Sequence, residues 1–274
     1  MSFDTIASTP VGTRMLDTLV GRGFGTTRLL NQLSEAELYE VAFDAAFEVS
    51  SEKWSSWPER EWRWEDHAPV EAVERLADAV PACSAARWWS AAALARPQVW
   101  MGRVAAAPTA GVLAPNIVGK PRTEIWTSSA VEGLPSAWWP YLERRVDGPS
   151  GQMSIWRIAP HPEARVFEIR TPADWQWLCE RFPGPDVDGW VAPGWEVVAE
   201  EFDGVHLTVE GLIRVQGVEI ETDRGQALLE NWDSESTAWL RWSVASLERL
   251  GTVTQAAQPS VTRGRESRRA RRRS

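Results

Sequence analysis

Trp232-Asp233-Ser234-Glu235-Ser236-Thr237-Ala238-Trp239 is the stretch whose reading decides the fold. In extended backbone, side chains two apart point to one face, so Asp233 and Glu235 form a paired-carboxylate edge with Ser234 turned away. Directly after it, Leu240, Val244 and Leu247 recur with the Trp239 and Trp242 rings at helical spacing, which predicts a helix over 237–250. The two acids then stand at a strand-to-helix junction, a rigid place for a chemical site. The plainer alternative is that Asp233, Ser236 or Thr237 only caps that helix.

A chain of 274 residues, 43% of them hydrophobic, can bury a large core as one domain or as a domain with an extension. It shows no apolar run of membrane-spanning length and no basic-then-apolar leader, so a soluble, cytoplasmic protein without membrane contact is expected. Cys83 and Cys179 lie far apart in predicted helices, giving neither a disulfide framework nor metal-ligand spacing. His67, His161 and His206 have no partner cysteines either, and no metal is expected. Net charge is −9, yet residues 261–274 hold seven arginines and one glutamate, or +6, leaving −15 on residues 1–260. An acidic body repels phosphate backbones, so nucleic-acid contact falls to the tail or a local patch. The Arg-rich tail, 255–274, is expected to be disordered, as a solubilising end or a tether for a polyanion or partner.

Residues 1–97 read as a separate helical region. Ser34 to Glu37 is a capping box opening one helix, 70–80 fits a second and 84–95 a third, ended by Arg96 and Pro97. The Trp-rich segment 54–64 is unassigned. Eighteen tryptophans are unusual, and the doublets Trp88/Trp89 and Trp138/Trp139 cannot both face one core on a single helix, so some ring surface is expected to be exposed or to sit between domains. From Gln98 the pattern changes to short strands: 99–103, then a mobile or covering loop over 105–115, then two strands or one bent strand at 153–159 and 165–169 around Pro160-His161-Pro162. Thr171 and Pro172 open a helix to Phe182, 195–202 is another, 203–209 is turn and strand, and alternation over 212–218 suggests one more strand. His206 reads as a satisfied strand residue, since no nucleophile lies near it in the pattern.

Gly119-Lys120-Pro121-Arg122-Thr123-Glu124-Ile125-Trp126-Thr127-Ser128-Ser129 sets two cations before a strand that ends in an indole and three hydroxyls. Cations pair with phosphate, hydroxyls bond ribose and the indole offers a stacking face, which suits a phosphorylated, ring-bearing ligand. An ordinary strand end with capping hydroxyls before a helix over 134–145 accounts for the same residues.

The order of these motifs resembles the ADP-ribosyltransferase fold over about 99–253, and more closely an uncharacterised group of bacterial and phage proteins associated with it. Lys120-Pro121-Arg122 leading into Ile125-Trp126-Thr127-Ser128 is similar to the family's second-strand motif. Ile155-Trp156-Arg157-Ile158 with Ala164-Arg165-Val166 looks like its paired middle strands, and Asp233-Ser234-Glu235 like its acid-x-Glu strand. The resemblance implies an α+β, split-sheet ADP-ribosyltransferase-like domain at 98–254 that consumes NAD as substrate. It implies Glu235 as the carboxylate stabilising an oxocarbenium-like centre, with Asp233 orienting the acceptor or taking its proton. Trp126 would stack near the nicotinamide, Thr127 and Ser128 would bond the ribose, and Arg103 or Lys120 would pair with the pyrophosphate. An ADP-ribosyltransferase or NAD glycohydrolase follows, as a toxin or conflict effector acting on a protein or nucleic-acid acceptor. The contrasting expectations are a non-catalytic module binding a protein or nucleic acid through tryptophan surface and tail, and a transferase fold that binds NAD without cutting it.

Overall fold

Thr9, Ser34, Thr171 and Thr208 each begin a helix, because each hydroxyl accepts an otherwise orphaned backbone N–H of the first turn. The computed structural model describes residues 5–54, 69–102, 112–113, 119–123, 125–144, 151–186 and 189–255. The helices are α1 (Pro10–Gly21), α2 (Thr27–Leu30), α3 (Glu35–Trp54), α4 (Val70–Ala82), α5 (Trp139–Arg144), α6 (Pro172–Arg181), α7 (Trp195–Glu201) and α8 (Val209–Val215). The expected capping box before α3 is present: Ser34 N–H donates to Glu37 Oε2 (2.8 Å) and Glu37 N–H to Ser34 Oγ (3.2 Å). Among the described residues no helix is long and apolar enough to cross a membrane.

The strands are β1 (Gln98–Gly102), β2 (Val112–Leu113), β3 (Arg122–Thr123), β4 (Trp126–Ser129), β5 (Gly151–Pro160), β6 (Val166–Ile169), β7 (Trp190–Val191), β8 (Gly204–Leu207), β9 (Glu219–Thr222), β10 (Gly225–Leu228), β11 (Ser236–Trp239) and β12 (Val244–Gln255). Seven of them form a mixed sheet in the order β12-β5-β1-β4-β11-β8-β6, in which only β6 and β8 run parallel. A three-stranded sheet (β7-β10-β9) and the β2-β3 pair lie outside it. The architecture is α+β.

Several local expectations change. The helix expected over 237–250 is instead β11 and the start of β12. Register shifts at Val244/Ser246 and Arg249/Gly251 interrupt the two-residue alternation of β12, and apolar positions three and four apart then imitate a helix. Conversely, the strand expected over 212–218 is mostly α8, a helix of 7 residues whose polar stripe is the single pair Glu210–Arg214, too short a run to show a 3.6-residue period. Its Gly211 comes so close to β6 that a Cβ there would stand 2.1 Å from the Ile169 carbonyl oxygen. The helix expected over 84–95 is two 3-10 turns, Ser84–Ala86 and Ala93–Ala95. Trp88 and Trp89 sit between them on irregular backbone, where the helical 100° divergence does not apply, and both rings are buried. β5 and β6 are not partners; β5 lies between β12 and β1, and β6 is the far edge.

Nor do the N-terminal helices stand apart. Leu38, Tyr39 and Phe43 of α3 share one core with Val205 and Leu207 of β8 and Leu212 of α8. Arg96 pairs with Glu35 at 2.9 Å, and Gln216 donates to the Ala46 carbonyl at 3.1 Å. Tail residues 256–274, segment 55–68 and, apart from Val112–Leu113, the loop 105–115 lie outside the described residues.

Candidate functional site

The register of β4 and β11 separates the residues that the sequence groups together. Thr237 lies opposite Thr127 and Ala238 opposite Trp126, and opposed residues of an antiparallel pair share a face. Trp126 and Ser128 therefore point to one side of the sheet with Ser236 and Ala238. Thr127 and Ser129 point to the other, with Thr237 and Glu235. Two residues apart in sequence, Asp233 and Glu235 do not share a face either. Asp233 has φ 66°, a left-handed conformation that breaks the extended run before β11 begins.

On the Glu235 side, a polar row crosses the sheet. Glu235 accepts from Ser129 N–H (2.9 Å) and Ser129 Oγ (2.7 Å), and its second neighbour is His206 Nε2 at 2.7 Å. His206 Nδ1 meets Glu168 Oε2 at 2.5 Å, and Glu168 Oε1 accepts from Ala93 N–H at 2.9 Å. Thr127 Oγ1 donates to Gln98 Oε1, completing the row toward β1. Glu235 and His206 are each 1% exposed and Ser129 is 2% exposed, so no ligand reaches them as the fold stands. Tyr39 of α3 closes one end, accepting from Glu235 N–H (3.3 Å) and donating to the Ala137 carbonyl (2.7 Å). Burial, and then the Glu235 charge, push the Tyr39 phenol well above its ordinary pKa, keeping that proton in place.

Burial is the largest single influence on His206 and favours the neutral ring, but hydrogen bonds and charge from Glu168 and Glu235 together outweigh it. The imidazolium pKa is raised from 6.5 to about 9. A raised folded-state pKa stabilises fully below the unfolded value of 6.5, and the contribution is lost as pH climbs through 9. The shift corresponds to about 3 kcal/mol. Thermal unfolding midpoints should therefore fall between pH 7 and 10, and a flat profile there would remove the charged bridge.

The other side opens into a cavity of about 550 Å³, lined by Lys120, Pro121, Arg122, Thr123, Trp126, Tyr141, Asn231 and Asp233. Gly119 starts it with φ 87°, a region that side chains rarely adopt, and a Cβ there would stand 2.9 Å from the Trp175 ring. That turn aims Lys120, whose Nζ donates to the Asn231 carbonyl (2.7 Å) and lies 4.7 Å from the Trp126 ring centroid. Trp126 is pinned by its Nε1–H donating to the Thr123 carbonyl (3.1 Å) and by the edge of buried Trp232, 5.2 Å between centroids. Arg122 is exposed, and Tyr141 is stacked against Trp138.

The cavity thus gathers Lys120, Trp126 and Asp233 of the expected residues. Glu235 is withdrawn into the interior, and so are Thr127 and Ser128, whose hydroxyls serve Gln98 and the Trp138 N–H. The expected convergence of Glu235 with Trp126 on one cleft is corrected by the sheet register. Arg103 lies outside the described residues. Sequence reasoning missed Tyr141, Asn231, Glu168 and Gln98. A charged residue inside Val166-Phe167-Glu168-Ile169 is the one usable signal, since a buried acid needs a partner. Among the described residues no group of three or more His, Cys, Asp or Glu is arranged to hold a metal ion. A second hollow of about 340 Å³, between Ile6, Ala77, Trp89 and Ile213, contains none of the expected site residues. No family model, no curated protein and no solved structure matches the chain.

Proposed function

We propose that the chain is a binding module for a phosphorylated, ring-bearing small molecule of the nucleotide class, with NAD the first candidate, and that Glu235 serves the fold rather than a reaction. The observation that carries this is the shared cavity of Lys120, Arg122, Trp126, Tyr141 and Asp233, on the sheet face away from Glu235. The two cations suit phosphate oxygens, the indole and phenol rings suit a base or nicotinamide, and Asp233 suits ribose hydroxyls. Calorimetric titration with NAD, ADP-ribose and ADP should give a saturable one-site isotherm that weakens with salt. Absence of binding at millimolar ligand would overturn the proposal.

A second reading, ADP-ribosyl transfer or NAD hydrolysis on an ADP-ribosyltransferase-like fold, has one observation in its favour. The hydroxyl-bearing β4 and the strand following the acid are neighbours, with Ser129 Oγ donating to Glu235. It requires the cover of Tyr39 and the 84–95 segment to open before NAD or a protein or nucleic-acid acceptor reaches the carboxylate. Nicotinamide release distinguishes it from simple binding.

A further inference from the structure

We infer that Gln216 and Tyr39 are positioning residues for the cavity, holding its Asn231–Asp233 wall from behind and coupling ligand binding to helix α3. The inference rests on the binding proposal, but the tethering it describes has its own readout. Asn231 and Asp233 carry φ values of 58° and 66°, and both line the cavity, while Trp232 between them is buried. Two left-handed non-glycine residues flanking a plugged indole need fixing from outside the turn.

The fixing comes from two tethers that end on α3. Asp233 N–H donates to Gln216 Oε1 (3.0 Å), and Gln216 Nε2 donates to the Ala46 carbonyl (3.1 Å) and Ser50 Oγ (3.0 Å). The amide of this buried glutamine is thus used at both ends, which fixes its orientation. Two residues on, Glu235 N–H donates to Tyr39 Oη, itself anchored on the Ala137 carbonyl. Because Lys120 Nζ is held by the Asn231 carbonyl, any relaxation of the wall displaces the principal cation as well. Neither Gln216 nor Tyr39 lines the cavity, so an effect of either on affinity has to pass through the wall.

The test combines NAD titration with amide hydrogen exchange on the full chain. Gln216→Ala should weaken NAD binding roughly tenfold or more and speed exchange over 230–236 by a similar factor, leaving β8 (204–207) protected. Gln216→Glu, which buries a carboxylate oxygen against the Ala46 carbonyl where a donor stood, should weaken binding at least as much as Gln216→Ala. Tyr39→Phe, which loses only the hydroxyl, should show a smaller shift of the same sign and substitutes for Gln216→Ala if that variant does not fold. Wild-type affinity and wild-type exchange in a folded Gln216→Ala would overturn the inference while leaving the binding proposal intact. If the wild type binds no NAD, the binding proposal fails by itself, and unchanged exchange over 230–236 in the variant would then overturn the tether.

Discussion

Glu235→Gln is expected to destabilise the fold by about 3–5 kcal/mol, the usual cost of leaving one partner of a buried charge pair behind. The substitution is nearly isosteric, so the loss comes from electrostatics and hydrogen bonding rather than from a cavity. His206 keeps its proton because of two carboxylates, and removing one leaves it charged with a single partner or neutral between unsatisfied groups. For a chain of this size, each kcal/mol moves the thermal midpoint by roughly 2–4 °C, so a fall of the order of 10 °C is predicted. The same logic makes the pair non-additive. His206→Asn combined with Glu235→Gln should cost less than the two single changes together, by roughly 1–3 kcal/mol. Asp233→Asn, at a left-handed cavity-lining position that asparagine tolerates, should stay within about 1 kcal/mol. A chemical site built for reactivity predicts instead that Glu235→Gln is neutral or stabilising like Asp233→Asn, because replacing a strained active-site acid commonly is. Chemical denaturation of Glu235→Gln and Asp233→Asn decides between the two.

Lys120→Ala is expected to weaken nucleotide binding by about 1.5–3 kcal/mol, roughly 10- to 150-fold in Kd, since a charge-assisted bond to phosphate is lost. Lys120→Glu should abolish measurable binding, because the new carboxylate repels the phosphates it replaces a partner for. Arg122→Ala, at an exposed position, should cost less and mainly flatten the salt dependence. Thr127→Val and Ser128→Ala make the sharper contrast. The family resemblance assigns both hydroxyls to the ribose, but both are interior, so these variants should lose stability while any folded fraction binds like the wild type. Selective loss of ribose-bearing ligands in a stable Thr127→Val would overturn the assignment of faces, and in a stable Ser128→Ala the interior placement of that hydroxyl.

Local chemistry was the part of the fold most legible in the sequence. Ser34-x-x-Glu37 and Thr171-Pro172 state helix starts within a few residues, and Lys120, Trp126 and Asp233, singled out from the sequence for their chemistry, line one cavity. Pairing was not legible, because nothing local says that Thr237 faces Thr127. A slip of one residue would have placed Glu235 on the Trp126 side. The bulges of β12 and the shortness of α8 disguise their periods, and tertiary contacts, not propensity, set those elements. Gln216 and Tyr39 carried no signal at all, since their partners lie 17 and 196 residues away.

Incubating the wild-type chain with saturating NAD, while following free nicotinamide and bound dinucleotide on the same sample, separates a holder from a cutter. The account predicts occupancy with the dinucleotide recovered intact. Nicotinamide appearing at a rate that disappears in a folded Glu235→Gln would contradict it, by showing that the interior carboxylate reaches the ligand.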